Sequence, residues 1–189
     1  MEPNTLLTVY AESTPNPATM KFVVNKMLLP DGLSFDFPGK ETTGDSPLAA
    51  QLFQFSGVAG IFIASNFVTV TKTAELEWSE LIPILREFVK GYVSSGEPIV
   101  YARQTDEKEN SASEIDEKIK QLLDEYIRPA VEEDGGAISF KSFDKGVVTV
   151  ILQGSCSGCP SSTLTLKAGI ENLLKRMVPE VTEVLSEAL

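Results

Sequence analysis

Between Ser94 and Ser113 the chain holds almost nothing that can be buried. Gly96 and Pro98 open this stretch, and the polar run Gln104-Thr-Asp-Glu-Lys-Glu-Asn-Ser-Ala-Ser113 closes it. A segment without apolar side chains cannot repay the entropy of being ordered in a core, so it reads as a linker. It limits the 189 residues to two small domains in place of one large one. We place them at 1–97 and 113–189, with 98–112 as the linker.

In the first half, Thr5 to Tyr10, Met20 to Val24 and, more weakly, Leu33 to Phe37 have strand patterns. Glu12-Ser-Thr-Pro-Asn-Pro17 interrupts them, because two prolines within three residues forbid regular structure. We read Thr14 to Pro17 as a rigid connection, with partner docking as the other reading. Ser46 and Pro47 have the chemistry of an N-cap and first helical residue for Leu48 to Phe55. Ile61 to Ala64 and Phe67 to Thr71, separated by Ser65-Asn66, form a hairpin pattern expected to be core. From Trp78 to Tyr92 the apolar residues recur at helical spacing, although Pro83 is tolerable only near a first turn.

In the second half, Ser113 with Asp116 and Glu117 opens a helix whose stripe is Ile115, Ile119, Leu122, Leu123 and Tyr126. Pro129 kinks or restarts it, and Asp134-Gly135-Gly136 ends it. Ala137 to Phe143 and Val147 to Leu152 alternate as two antiparallel strands across Asp144-Lys145-Gly146, and Thr163 to Met177 is a second helix stopped by Pro179. The fold class is α+β: two small domains, the second with helices packed on a short antiparallel sheet.

Net charge is −11, spread over both halves. Its first effect is solubility; it also disfavours phosphate backbones and anionic lipid, so neither a nucleic-acid nor a membrane partner is expected. A partner with a basic patch would be steered towards it. No apolar run approaches the ~20 residues that span a bilayer. The opening Met1-Glu-Pro-Asn-Thr5 has neither a basic nor an Arg-rich targeting pattern, so the expected location is cytoplasmic.

Chemistry converges on Cys156 and Cys159, the chain's two cysteines, in Gly154-Ser-Cys-Ser-Gly-Cys-Pro-Ser-Ser162. There is no histidine, which excludes Ser-His-Asp and Cys-His nucleophiles, Cys₂His₂ fingers, Rieske ligation and HExxH sites. Glycines let an inorganic core approach backbone N–H groups. The helix start adds about half a positive charge that favours thiolate. We expect two anionic sulfurs on an exposed loop.

Three readings of this pair compete. A 4Fe–4S cluster takes four thiolates, so two chains would each give a pair across a twofold interface. A thiol–disulfide redox couple also uses CxxC at a helix start, but wants a βαβ setting with a cis-proline partner later, and the second half shows too few strands and no such arrangement in sequence. Zinc bridging two chains is the third, extending to a zinc- or iron-binding adaptor. Two buried apolar cysteines without chemistry are disfavoured by the polar loop around them.

Gly154 to Ser162, with Thr165-Leu166 after it and Arg128-Pro129 and Glu133-Asp-Gly-Gly136 before it, resembles the Nfu-type (NifU C-terminal) domain. Glu12-Ser-Thr-Pro-Asn-Pro-Ala-Thr-Met-Lys-Phe22 looks like the opening of the Nfu N-terminal domain. The resemblance implies an iron–sulfur cluster scaffold and carrier, not an enzyme. Its cofactor would be a labile 4Fe–4S cluster bridging two chains of a homodimer, bound by Cys156 and Cys159. Its partners would be cluster-assembly proteins as donors and apo iron–sulfur enzymes as recipients. Ala137 departs from the acidic residue that relatives commonly carry there.

Overall fold

The structure is a computed structural model that describes residues 6–101, 113–157 and 160–188, with backbone alone for 160–163 and 188. It divides into two compact units, Met1–Arg103 and Gln104–Leu189.

The first unit is a five-stranded antiparallel sheet of β1 (Val9–Ser13), β2 (Thr19–Val24), β3 (Ser34–Phe37), β4 (Val58–Ala64) and β5 (Phe67–Lys72). Their order is β1-β2-β5-β4-β3. Met20, Phe22, Val24, Ile61, Ile63, Val68 and Val70 alternate onto one face and pack with two helices in one apolar cluster. Helix α1 (Pro47–Leu52) gives Leu48 and Leu52; α2 (Trp78–Ser95) gives Leu81, Leu85, Val89 and Tyr92.

Local chemistry explains the element ends. Ser46 Oγ accepts from Ala49 N–H at 3.1 Å, as an N-cap should. Pro83 lies in the second turn of α2, deeper than expected. The first strand begins at Val9 and runs to Ser13, four residues downstream of the expected start. Thr14 to Pro17 is tied internally: Thr14 Oγ1 donates to Asn16 O at 2.9 Å, and Ala18 N–H to Asn16 Oδ1 at 3.0 Å. Trp78 Nε1 donates to Pro17 O at 3.0 Å, so this turn clamps α2 to the sheet. The unit also extends past residue 97. Tyr92 Oη and Ser46 Oγ donate to the carbonyls of Pro98 and Ile99, and Tyr101 N–H donates to Asp45 O.

In the second unit Ser113 and Asp116 form a reciprocal capping box at the start of α3 (Glu114–Leu122). The helix then widens into a π turn, Leu123–Ile127, before α4 (Arg128–Glu133). Pro129 accounts for the break: in a continuous α-helix its ring would meet the carbonyl four residues back. The extra residue turns Tyr126 half out of the expected stripe, to 50% exposure, while Ile119, Leu122 and Leu123 stay buried. Strands β6 (Gly136–Asp144) and β7 (Val147–Gly154) pair antiparallel. Their turn has positive φ at Lys145 and Gly146, the two-residue geometry that suits strand twist.

Helix α5 (Pro160–Met177) leads to a strand not anticipated from sequence, β8 (Glu183–Ala188), which joins β7 in parallel. The sheet order is β6-β7-β8. Thr182 and Glu183 N–H groups bond Gly146 O, and Val184 N–H reaches Glu171 Oε2 on α5 at 3.1 Å. Hydrogen bonds from Lys175, and then from Val184, hold the Glu171 carboxylate below its usual range. Among the described residues no helix is long and apolar enough to cross a membrane.

Asp36 of β3 lies opposite Phe62 of β4, and burial raises its pKa to about 6 against a bond from the Phe37 backbone. The native state therefore holds this proton where the unfolded chain has lost it. The stabilisation is complete below the unfolded value of 3.8 and is lost as pH rises through about 6. Asp36→Asn should gain about 1–3 kcal/mol over wild type at pH 8 and nothing at pH 3 in urea titrations.

Candidate functional site

Gly154 ends β7 with φ of 66°, a conformation that turns the chain sharply out of the sheet. Beyond it the loop folds onto the corner between α4 and β6, where Gly135 has φ of 80°. Ser155 N–H donates to Gly135 O at 3.3 Å, and the Ser155 hydroxyl donates to Asp134 O. Ser157 closes a tight turn by donating to Gly154 O from both its N–H, at 3.1 Å, and its Oγ, at 2.8 Å.

These bonds deliver Cys156 to the edge of the core. It is 6% exposed and packs in one apolar cluster with Ile119, Val131, Leu152 and Ile170. Ser155 Oγ lies 3.9 Å from its sulfur. The expected exposed thiol is thus corrected at Cys156, because the loop lies against the corner rather than standing free. Cys159, the other expected ligand, lies outside the described residues, as does Gly158. Among the described residues no three His, Cys, Asp or Glu side chains gather to hold a metal ion.

The topology also removes one objection to redox chemistry. Strand β7, the cysteine loop, α5 and parallel β8 form a βαβ unit, a setting not expected from the residue pattern of this half. The cause is the missed β8. Ser155 and Gly136, which neither residue type nor spacing marks as belonging to the site, border Cys156. The adjacent glycines 135 and 136 were the available signal: a backbone without side chains marks a close approach.

A sheet-and-helix unit of this kind joined to a second unit with a cysteine loop at a helix start defines the two-domain class into which the chain falls. Residues 9–96 match the family described as "Scaffold protein Nfu/NifU N terminal", and residues 119–185 match the "NifU-like domain". The chain belongs to this Nfu family. A human protein named "NFU1 iron-sulfur cluster scaffold homolog, mitochondrial" is 43% identical over 180 residues, covering 93% of this chain and 70% of that protein. The Drosophila erecta protein of the same name is 41% identical over 179 residues, and the chain spans 63% of its length. A solution structure of a NifU-like protein from Saccharomyces cerevisiae covers 55% of this chain and 92% of its own, at 24% identity and a TM-score of 0.48. The relatives' names overturn the cytoplasmic expectation: they are mitochondrial proteins.

Ser155→Ala removes the hydroxyl that binds Asp134 O and should cost about 1 kcal/mol of second-unit stability. Urea unfolding followed by amide NMR of residues in β6 and β7 measures it.

Proposed function

We propose that the chain carries iron–sulfur clusters, holding a labile 4Fe–4S cluster between Cys156 and Cys159 of two copies and passing it to apo-proteins. The observation that carries this is stoichiometric. The chain has two cysteines and no histidine, whereas such a cluster takes four thiolates. Two copies related by a twofold axis supply the set. The family match supports an iron–sulfur cargo over other uses of the same pair.

The donor set suits the cargo. A cluster with four thiolates is an anion, and the loop leads into the positive end of an 18-residue helix. Lys175 and Arg176 complement the opposite end of that helix.

A carrier must hold its cargo less tightly than the recipient does. Two ligands per chain meet that demand, since parting the dimer removes half of them. In each exchange an incoming thiol forms a new sulfur–iron bond while one cysteine–iron bond breaks. The proton given up by the incoming thiol goes to the departing thiolate. The first unit would choose the recipient and raise its effective concentration at the second. Cluster-assembly proteins would load the pair, and the relatives favour the mitochondrion as the place of work. The role is carriage, not catalysis.

Anaerobic reconstitution with iron and sulfide tests this. The expected result is about four irons and four sulfides per two chains, a brown dimer, and loss of both in Cys156→Ser or Cys159→Ser. The βαβ setting favours a thiol–disulfide couple as the second reading. An iron-free monomer that reduces disulfides reversibly would establish it, and a colourless metal-bridged dimer would point to zinc.

A further inference from the structure

Gly136 opens β6 opposite Gly154, and the space where its side chain would stand is filled by the Cys156 sulfur. A Cβ at this position would lie 2.8 Å from Cys156 Sγ, 3.2 Å from Cys156 Cβ and 2.7 Å from Gln153 O. Real side chains do not make such approaches, so any residue but glycine displaces the sulfur or the β7 backbone. The sulfur is enclosed elsewhere by the apolar cluster of this unit and by Ser155.

We propose that Gly136 is a positioning residue for the Cys156 thiol. It keeps open the seat in which the Cys156 sulfur rests in the cluster-free chain, fixing one ligand per copy and shielding it from solvent reagents until cargo arrives. The purpose rests on the carrier reading; the geometry does not. Two other glycines of this unit give the contrast. A Cβ at Gly169 meets nothing within 4 Å, and one at Gly146, where φ is 86°, meets Thr182 and Glu180 O but not the sulfur.

The test uses the cluster-free full chain under anaerobic conditions, with iodoacetamide as probe and peptide mass mapping of Cys156. Native Cys156 should alkylate at least about tenfold more slowly than in the same chain unfolded in guanidinium. Gly136→Ala should raise the native rate about tenfold beyond what its loss of stability accounts for. Gly169→Ala should not raise the rate, and Gly146→Ala should raise it only as far as its own stability loss requires. In a Cys156→Ala background, Gly136→Ala should shift the unfolding equilibrium about tenfold less than in wild type, because the sulfur it collides with is gone.

Wild-type Cys156 that alkylates as fast native as unfolded overturns the seat, and that measurement needs no variant to fold. Strict additivity of the two substitutions overturns it as well. A slow Cys156 in a chain that never takes up iron and sulfide would keep the seat and end the carrier reading. A chain that loads a full cluster yet leaves Cys156 unprotected would do the reverse.

Discussion

The second unit depends on one close approach: the end of β7 against the corner between α4 and β6. Ser155 bonds two successive carbonyls there, those of Asp134 and Gly135, through its hydroxyl and its N–H. Those carbonyls belong to the turn that ends α4, where helix termini leave acceptors without intrahelical donors. The same contact therefore completes a helix end, fixes the start of β6 and sets the thiol in the core. Gly135 and Gly136 supply the conformation and the clearance that the approach requires.

Elements governed by near neighbours were legible in the sequence. The Ser46 and Ser113 caps, the Ser65-Asn66 hairpin and the turn at Lys145-Gly146 each follow from a few side chains acting over a few residues. What was not legible depends on distant partners. Among the side chains described in β8, Val184 is fully buried and Leu185 half-exposed, so its alternation is faint. Pairing with β7 and the bond from Val184 to Glu171 give it form. The π turn is similar: Pro129 announced a disturbance, but the break lies upstream of the proline that provokes it.

At the site, the cysteine pair and its family resemblance were readable from residue types and spacing. The burial of Cys156 was not. A polar, glycine-containing loop suggests exposure, whereas the fold presses it against a corner built from residues some twenty positions earlier. The expected compartment failed for a different reason. Location is an address read by other proteins, and nothing in the packing of this chain depends on it.

The parallel pairing of β7 with β8 bears on how the second unit comes into being. The hairpin of β6 and β7 closes over two residues, but Val147 meets Glu183 only after the thiol loop and all of α5 have been laid down. Parallel neighbours cannot be joined by a tight turn, so the crossover must close a long loop before it gains any hydrogen bonds. The thiols lie inside that crossover. A chain still on the ribosome thus has its cysteine pair made before the strand that locks the surrounding unit.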